Sequence, residues 1–193
     1  MTSTNPQTTR TSALRAGVLA AAVAGLAATA GRGAATPPSS HPPPNEVEVT
    51  VVIENLAPPG GNYLTPVWVG FHDGSFDLYD RGAPASGAIE RLAEDGDTGP
   101  LSMAFDGGAQ ATIPSDVGIP PLAPGETATM TFTLDGRDPS NRYFSYASMV
   151  IPSNDAFNAN GDPRAYRVFN PGGTCAGPTS SCGAMRSTTR ARS

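Results

Sequence analysis

The residue types of a hydrolytic site occur together around the second histidine of the chain. His72, Asp73 and Ser75 supply an imidazole, a carboxylate and a hydroxyl within four positions. In known triads the fold brings these groups together from distant positions, and the chain has no Gly-x-Ser-x-Gly elbow. We therefore expect His72 to fix a turn through hydrogen bonds. A hydrolase that uses His72 and Asp73 is the alternative.

A second group of polar side chains follows the last long apolar run. It consists of Asn154, Asp155, Asn158, Asn160 and Asp162. Calcium prefers carboxylate and carbonyl oxygens on loops, although the spacing does not fit an EF-hand. Asn and Asp also form turns by bonding their own backbone, so the segment is either a calcium site or a set of turns.

Other site chemistries lack the residues that they need. Zinc requires several His or Cys ligands, but His41 lies among prolines, and Cys175 and Cys182 both lie near the C-terminus. No glycine-rich loop precedes a helix pattern, so a nucleotide site has no basis. In an exported protein the two cysteines can oxidise and close a loop within the tail, and their pairing is left open.

The distribution of charge excludes one class of partner. All 17 acidic residues lie between Glu46 and Asp162, and the chain has no lysine. With six arginines, residues 45–169 carry a net charge of −11. Nucleic acid is therefore not expected as a partner.

The N-terminal segment has the layout of an export signal. Arg10 and Arg15 precede a short Ala-rich run, and small residues follow it. This pattern predicts a signal peptide over residues 1–30, with an uncleaved anchor as the alternative. Prolines then predict a disordered linker over residues 31–45. We expect a secreted or periplasmic protein with no transmembrane span.

The elements that must position these residues are mostly strands. Residues 46–53 alternate apolar and polar side chains with period two, which predicts a half-buried strand. One short helix is predicted from Ala85 to Ala93, followed by Gly96. Further strands are predicted at residues 67–71, 76–79, 101–105, 109–113, 126–134, 142–151 and 165–169. Many short strands with turns between them favour an all-β antiparallel sandwich over residues 46–169.

The pattern stops after Phe169. Residues 170–193 show no apolar face of either period, and we expect a disordered tail.

Two stretches resemble the spondin N-terminal domain. The first is Val67-Trp68-Val69-Gly70-Phe71-His72-Asp73-Gly74-Ser75-Phe76-Asp77-Leu78-Tyr79, continued by similar residues at 82–87 and 92–96. The second is Ser148-Met149-Val150-Ile151-Pro152-Ser153-Asn154-Asp155. Their order and spacing carry the resemblance across most of residues 47–169.

This resemblance implies a C2-like β-sandwich, an extracellular setting, adhesion and a calcium ion at the loop end of the sandwich. Asp155 matches the family's loop aspartate and is the implied metal ligand. The family's later acidic motif, which supplies two more carboxylates, has no counterpart after Phe169. Either a truncation or frameshift, or a shortened variant with a different sheet edge, would explain this departure.

We therefore predict a secreted spondin-like binding and adhesion module with weak calcium binding and no catalytic activity. Its expected partners are an extracellular protein, a matrix polymer or a cell surface. A secreted hydrolase and a purely structural envelope protein remain the alternatives.

Overall fold

The computed structural model describes residues 45–118 and 120–177, and the backbone of residues 183–188. Strands account for most of the regular structure, as the period-two patterns predict. In chain order the elements are β1 (Glu46–Glu54), β2 (Tyr63–Leu64), β3 (Val67–His72), α1 (Gly87–Asp95), α2 (Gly99–Ala104), β4 (Gln110–Ile113), β5 (Thr127–Asp135), a 3-10 turn (Pro139–Asn141), β6 (Tyr143–Ile151), β7 (Phe157–Ala159), β8 (Tyr166–Arg167) and β9 (Gly183–Thr188).

The first sheet has three strands in the order β5-β1-β9. β1 and β5 pair antiparallel along their whole length, from Glu46 opposite Asp135 to Glu54 opposite Thr127. Alternate side chains of both strands point inward, which is the arrangement that their sequence patterns predict. β9 lies on the other side of β1 and runs parallel to it.

The second sheet is built around β6. β3 and β2 pair with one edge of β6, while β8 and β7 pair with the other, and all four pairings are antiparallel. β4 extends the sheet beyond β3. This arrangement places the hairpin between β6 and β7 at one end of the sheet.

Each face of the second sheet carries a hydrophobic cluster. On one face Val69, Phe71 and Phe144 pack against Val51 and other inward residues of the first sheet. The all-β antiparallel sandwich that the sequence predicts is thereby confirmed. The opposite face packs against the helices, and its buried residues are Trp68, Leu78, Ile89, Leu92, Leu101 and Ala147.

α1 ends before Gly96, as the sequence predicts, but begins at Gly87, two residues after the predicted start at Ala85. The Ser86 Oγ accepts a hydrogen bond from the Ile89 N–H at 3.3 Å and caps the first turn. Gly96 ends the helix with φ of +68°, a conformation that glycine adopts without steric cost. Ile89, Leu92 and Ala93 form the buried face that fixes α1 to the second sheet.

Two predicted strands are wrong. Residues 101–105 mostly form α2, because Gly99-Pro100 starts a helix and a short apolar run does not distinguish a helix from a strand. Residues 76–79 form no strand; Phe76 and Leu78 instead pack into the helix-side cluster.

The tail also differs from the disorder expected over residues 170–193. The Asn170 N–H donates to the Thr174 carbonyl at 2.8 Å, and the Ala176 N–H donates to the Val168 carbonyl at 2.9 Å. Cys175 is disulfide-bonded, and residues 183–188 form β9. Backbone hydrogen bonds to a strand edge do not depend on side-chain periodicity, which explains why the composition gave no sign of this strand.

The predicted signal peptide (residues 1–30) and most of the linker (residues 31–45) lie outside the described residues, as does Cys182. Among the residues that the structure describes, no helix is both long and apolar enough to cross a bilayer.

Candidate functional site

His72 lies at the end of β3 with 1% of its surface exposed. Its Nδ1 accepts a hydrogen bond from the Gly74 N–H at 3.0 Å. An accepting Nδ1 leaves the ring proton on Nε2, which therefore donates to the Ser145 Oγ at 2.9 Å. Both ring nitrogens are thus engaged in bonds that join the β3 turn to β6.

The imidazole is held in its neutral form by its surroundings. Burial lowers the pKa of His72, while the carboxylates of Asp73 and Asp106 oppose the shift. A charged ring would also carry a proton on Nδ1 and could no longer accept from the Gly74 N–H.

Asp73 and Ser75 form a local turn beside this histidine. The Asp73 Oδ1 accepts from the Ser75 N–H at 2.9 Å and from its hydroxyl at 2.6 Å. These bonds lower the pKa of Asp73. The Ser75 hydroxyl is therefore directed to the carboxylate and not to the imidazole, which is the turn expected from the sequence and not the geometry of a triad.

The hydrogen bond from His72 to Ser145 continues to Asn160, a connection that the sequence did not indicate. The Asn160 Nδ2 donates to the Ser145 Oγ at 3.0 Å, so that this buried hydroxyl joins the two side chains. The Asn160 Oδ1 accepts from the Tyr146 N–H at 2.9 Å. The result is a buried polar network that links β3, β6 and the segment after β7.

The Asx-rich segment after β6 divides into residues with hydrogen-bonded structural roles and an exposed hairpin tip that carries Asn154 and Asp155. Asn160 belongs to the buried network, and the Asp162 Oδ1 accepts from the Arg164 N–H at 2.8 Å within a turn. Asn158 lies opposite Ser148 in the β6–β7 pair. Asp155 is exposed at the hairpin tip.

Hydrogen bonds within the hairpin fix the position of Asp155. The Ser153 hydroxyl donates to the Val150 carbonyl at 2.8 Å and accepts from the Ala156 N–H at 3.0 Å. The Val150 N–H donates to the Ala156 carbonyl at 2.8 Å. Hydrogen bonds thus join the residues before Asp155 to the residue after it.

A groove separates this hairpin from α1. Its volume is about 260 Å³. The apolar part is formed by Ala85, Ile89, Ala93 and Phe157, and the acidic part by Glu90, Glu94 and Asp155. We name this feature the α1–hairpin groove.

The groove carries three carboxylates. Within residues 45–118 and 120–177, Arg91 pairs with Asp95, and none of the three groove carboxylates forms a salt bridge. Like charges at i and i+4 destabilise a helix by about 0.2–0.5 kcal/mol, so Glu90 and Glu94 oppose the stability of α1. That spacing is the one signal by which the sequence could have indicated these two residues.

The described residues do not build a multi-ligand metal centre at Asp155. Nowhere in this part of the chain do three or more His, Cys, Asp or Glu side chains form a group that could hold a metal ion. Asn160 is buried in the polar network, whereas Asp155 and Asp162 are the two exposed carboxylates of the segment, and one oxygen of Asp162 accepts from the Arg164 N–H. Asp155 as a metal ligand stays a prediction.

No protein-family model matches the chain, and no curated protein matches it. Membership of the spondin family stays a prediction that depends on the motifs at residues 67–96 and 148–155.

Proposed function

We propose that the chain is a secreted, spondin-like binding and adhesion module that engages an extracellular protein, a matrix polymer or a cell surface and catalyses no reaction. The α1–hairpin groove is the observation that carries this proposal. It combines exposed acidic groups with the half-buried Phe157 on a pre-formed scaffold, and fixed charges of one sign steer and orient a partner of the opposite charge. By contrast, both ring nitrogens of His72 form hydrogen bonds within the fold.

The proposal includes export, which the layout of the leader supports. Mass spectrometry of secreted material should find a mature N-terminus between about residues 31 and 36. Protein that retains Met1 in the cytoplasm would contradict export.

Calcium is part of the proposal only as a weak ligand. Asp155 supplies one carboxylate, whereas calcium normally takes six to eight oxygen ligands. Water and neutral carbonyls would have to supply the remainder, so calcium is not expected to organise the groove.

The experiment incubates the purified full chain with the producing cells, with their extracellular matrix polymers, and with ester, peptide and glycoside substrates. We expect saturable retention on a cell or polymer surface and no turnover. Hydrolysis that is lost in Ser75→Ala would contradict the proposal; this exposed substitution leaves the His72 network unchanged. Absence of retention on every surface would favour the purely structural alternative.

A further inference from the structure

We infer that the α1–hairpin groove binds a single arginine side chain presented by a partner protein. The inference rests on the proposed function, because it names the chemistry of the partner that a binding module would engage. It goes beyond that function by assigning a site, a ligand class and a set of contacting residues.

The size of the groove limits what it can hold. Pockets for small molecules typically measure about 300–1,000 Å³, and the groove lies below that range at about 260 Å³. It is therefore small for a cofactor, while a long side chain that enters from an extended segment fits its dimensions.

The lining matches the two chemically different parts of an arginine. Ile89 and Ala93 are buried and form the floor of the groove, while Ala85 is exposed and Phe157 is half-buried, so that a three-carbon stem would pack on these two side chains. Phe157 belongs to the hairpin side, and its ring lies perpendicular to that of Tyr79 with the centroids 5.1 Å apart. A guanidinium can stack on such a fixed ring.

Charge complementarity selects a cation as the occupant. Glu90 and Glu94 project from α1, Asp155 lies across from them on the hairpin, and no salt bridge within the described residues satisfies any of the three. Several carboxylates spread around a groove match the five-donor fork of a guanidinium better than one ammonium point charge. A metal ion requires closer convergence of ligands, and among the described residues no such group exists.

The test uses ¹⁵N-labelled full chain titrated with N-acetyl-arginine-methylamide, with the lysine and citrulline analogues as comparisons. Binding of one exposed side chain should be weak, with a Kd on the order of millimolar. We expect chemical-shift changes confined to residues 85–94 and 153–157, weaker binding of the lysine analogue and none of the uncharged citrulline analogue. Asp155→Asn and Glu94→Gln should each raise the Kd about two- to fivefold, the range for a partly exposed ion pair. Asp80→Asn, an exposed substitution outside the groove, should leave the Kd unchanged.

Equal binding of the citrulline analogue, or shift changes outside the groove, would overturn the inference. Shift changes that persist unaltered in Asp155→Asn and Glu94→Gln would overturn it as well. These outcomes are separate from failure of the proposed function. A chain that adheres to cells but ignores the arginine analogue refutes the inference alone, whereas a chain that hydrolyses substrate through Ser75 refutes the proposed function.

Discussion

At the scale of single residues, the polar side chains of His72 and Asp155 have opposite environments and roles. His72 is buried and contributes to the fold through the Gly74 N–H and the Ser145 hydroxyl. Asp155 is exposed and fixed by its hairpin, so its carboxylate is available to a ligand. The residue with the more obvious catalytic chemistry is thus the structural one.

The lowered pKa of His72 predicts a loss of stability in mild acid. The unfolded chain binds a proton below about pH 6.5, while the folded chain resists protonation. The contribution of His72 to stability is therefore complete above about pH 6.5 and is lost as the pH falls from there through the lower folded-state pKa. Denaturant unfolding between pH 7 and pH 5 should show this decline.

Two variants test whether His72 causes the loss of stability between pH 7 and pH 5. His72→Phe keeps an aromatic ring but leaves the Gly74 N–H without its acceptor. We expect it to cost about 1–3 kcal/mol at pH 7 and to remove the decline. His41→Gln, at the only other histidine, should retain the decline. A decline that survives in His72→Phe would contradict the assignment.

Asp155 predicts weak calcium binding. One carboxylate leaves most of the ion's charge uncompensated, so we expect a Kd on the order of millimolar or weaker by isothermal titration, and still weaker binding in Asp155→Asn. Asp80→Asn is the control for the loss of one surface charge. Micromolar binding that survives Asp155→Asn would show that the ion binds elsewhere.

At the scale of elements, the sheet edge beside β1 depends on the tail. β9 pairs with the part of β1 from Thr50 to Glu54, on the side that does not face β5. Removal of residues 178–193 would open this part of the edge, and open edges recruit other strands. We expect the truncated chain to unfold at a lower temperature and to self-associate in multi-angle light scattering.

The truncation also removes Cys182. Cys175→Ser should therefore be introduced into both the full chain and the truncated chain, so that neither contains a disulfide bond to Cys175. If the shortened chain stays monomeric with an unchanged Tm, β9 does not protect the edge.

How far the sequence predicts these elements depends on where the stabilising interactions lie. β1 and β5 alternate in burial, so their own residues carry the period-two signal. β9 is held through its backbone, and α2 is too short for periodicity to decide its type. The same limit applies to the site, because the groove brings Glu90 and Glu94 beside Asp155 only after α1 has packed on the second sheet.

At the scale of the whole molecule, the two sides of the second sheet have different roles. One face joins the first sheet in the sandwich core, and the other supports the helices and the hairpin that border the groove. The described domain is strongly acidic, and the groove concentrates three of its carboxylates next to apolar surface. A recognition surface built on a rigid sandwich can bind without the large conformational costs of a mobile loop.

The central claim is that adhesion occurs through the α1–hairpin groove. The most direct measurement is the apparent Kd of the full chain for the producing cells, compared between two double variants that remove the same charge. We predict that Glu94→Gln with Asp155→Asn raises this Kd by about four- to 25-fold, as two independent ion pairs would. Asp77→Asn with Asp80→Asn, outside the groove, should bind like the unaltered chain. Equal Kd values for the two double variants would contradict the claim, because net charge and not the groove would then determine adhesion.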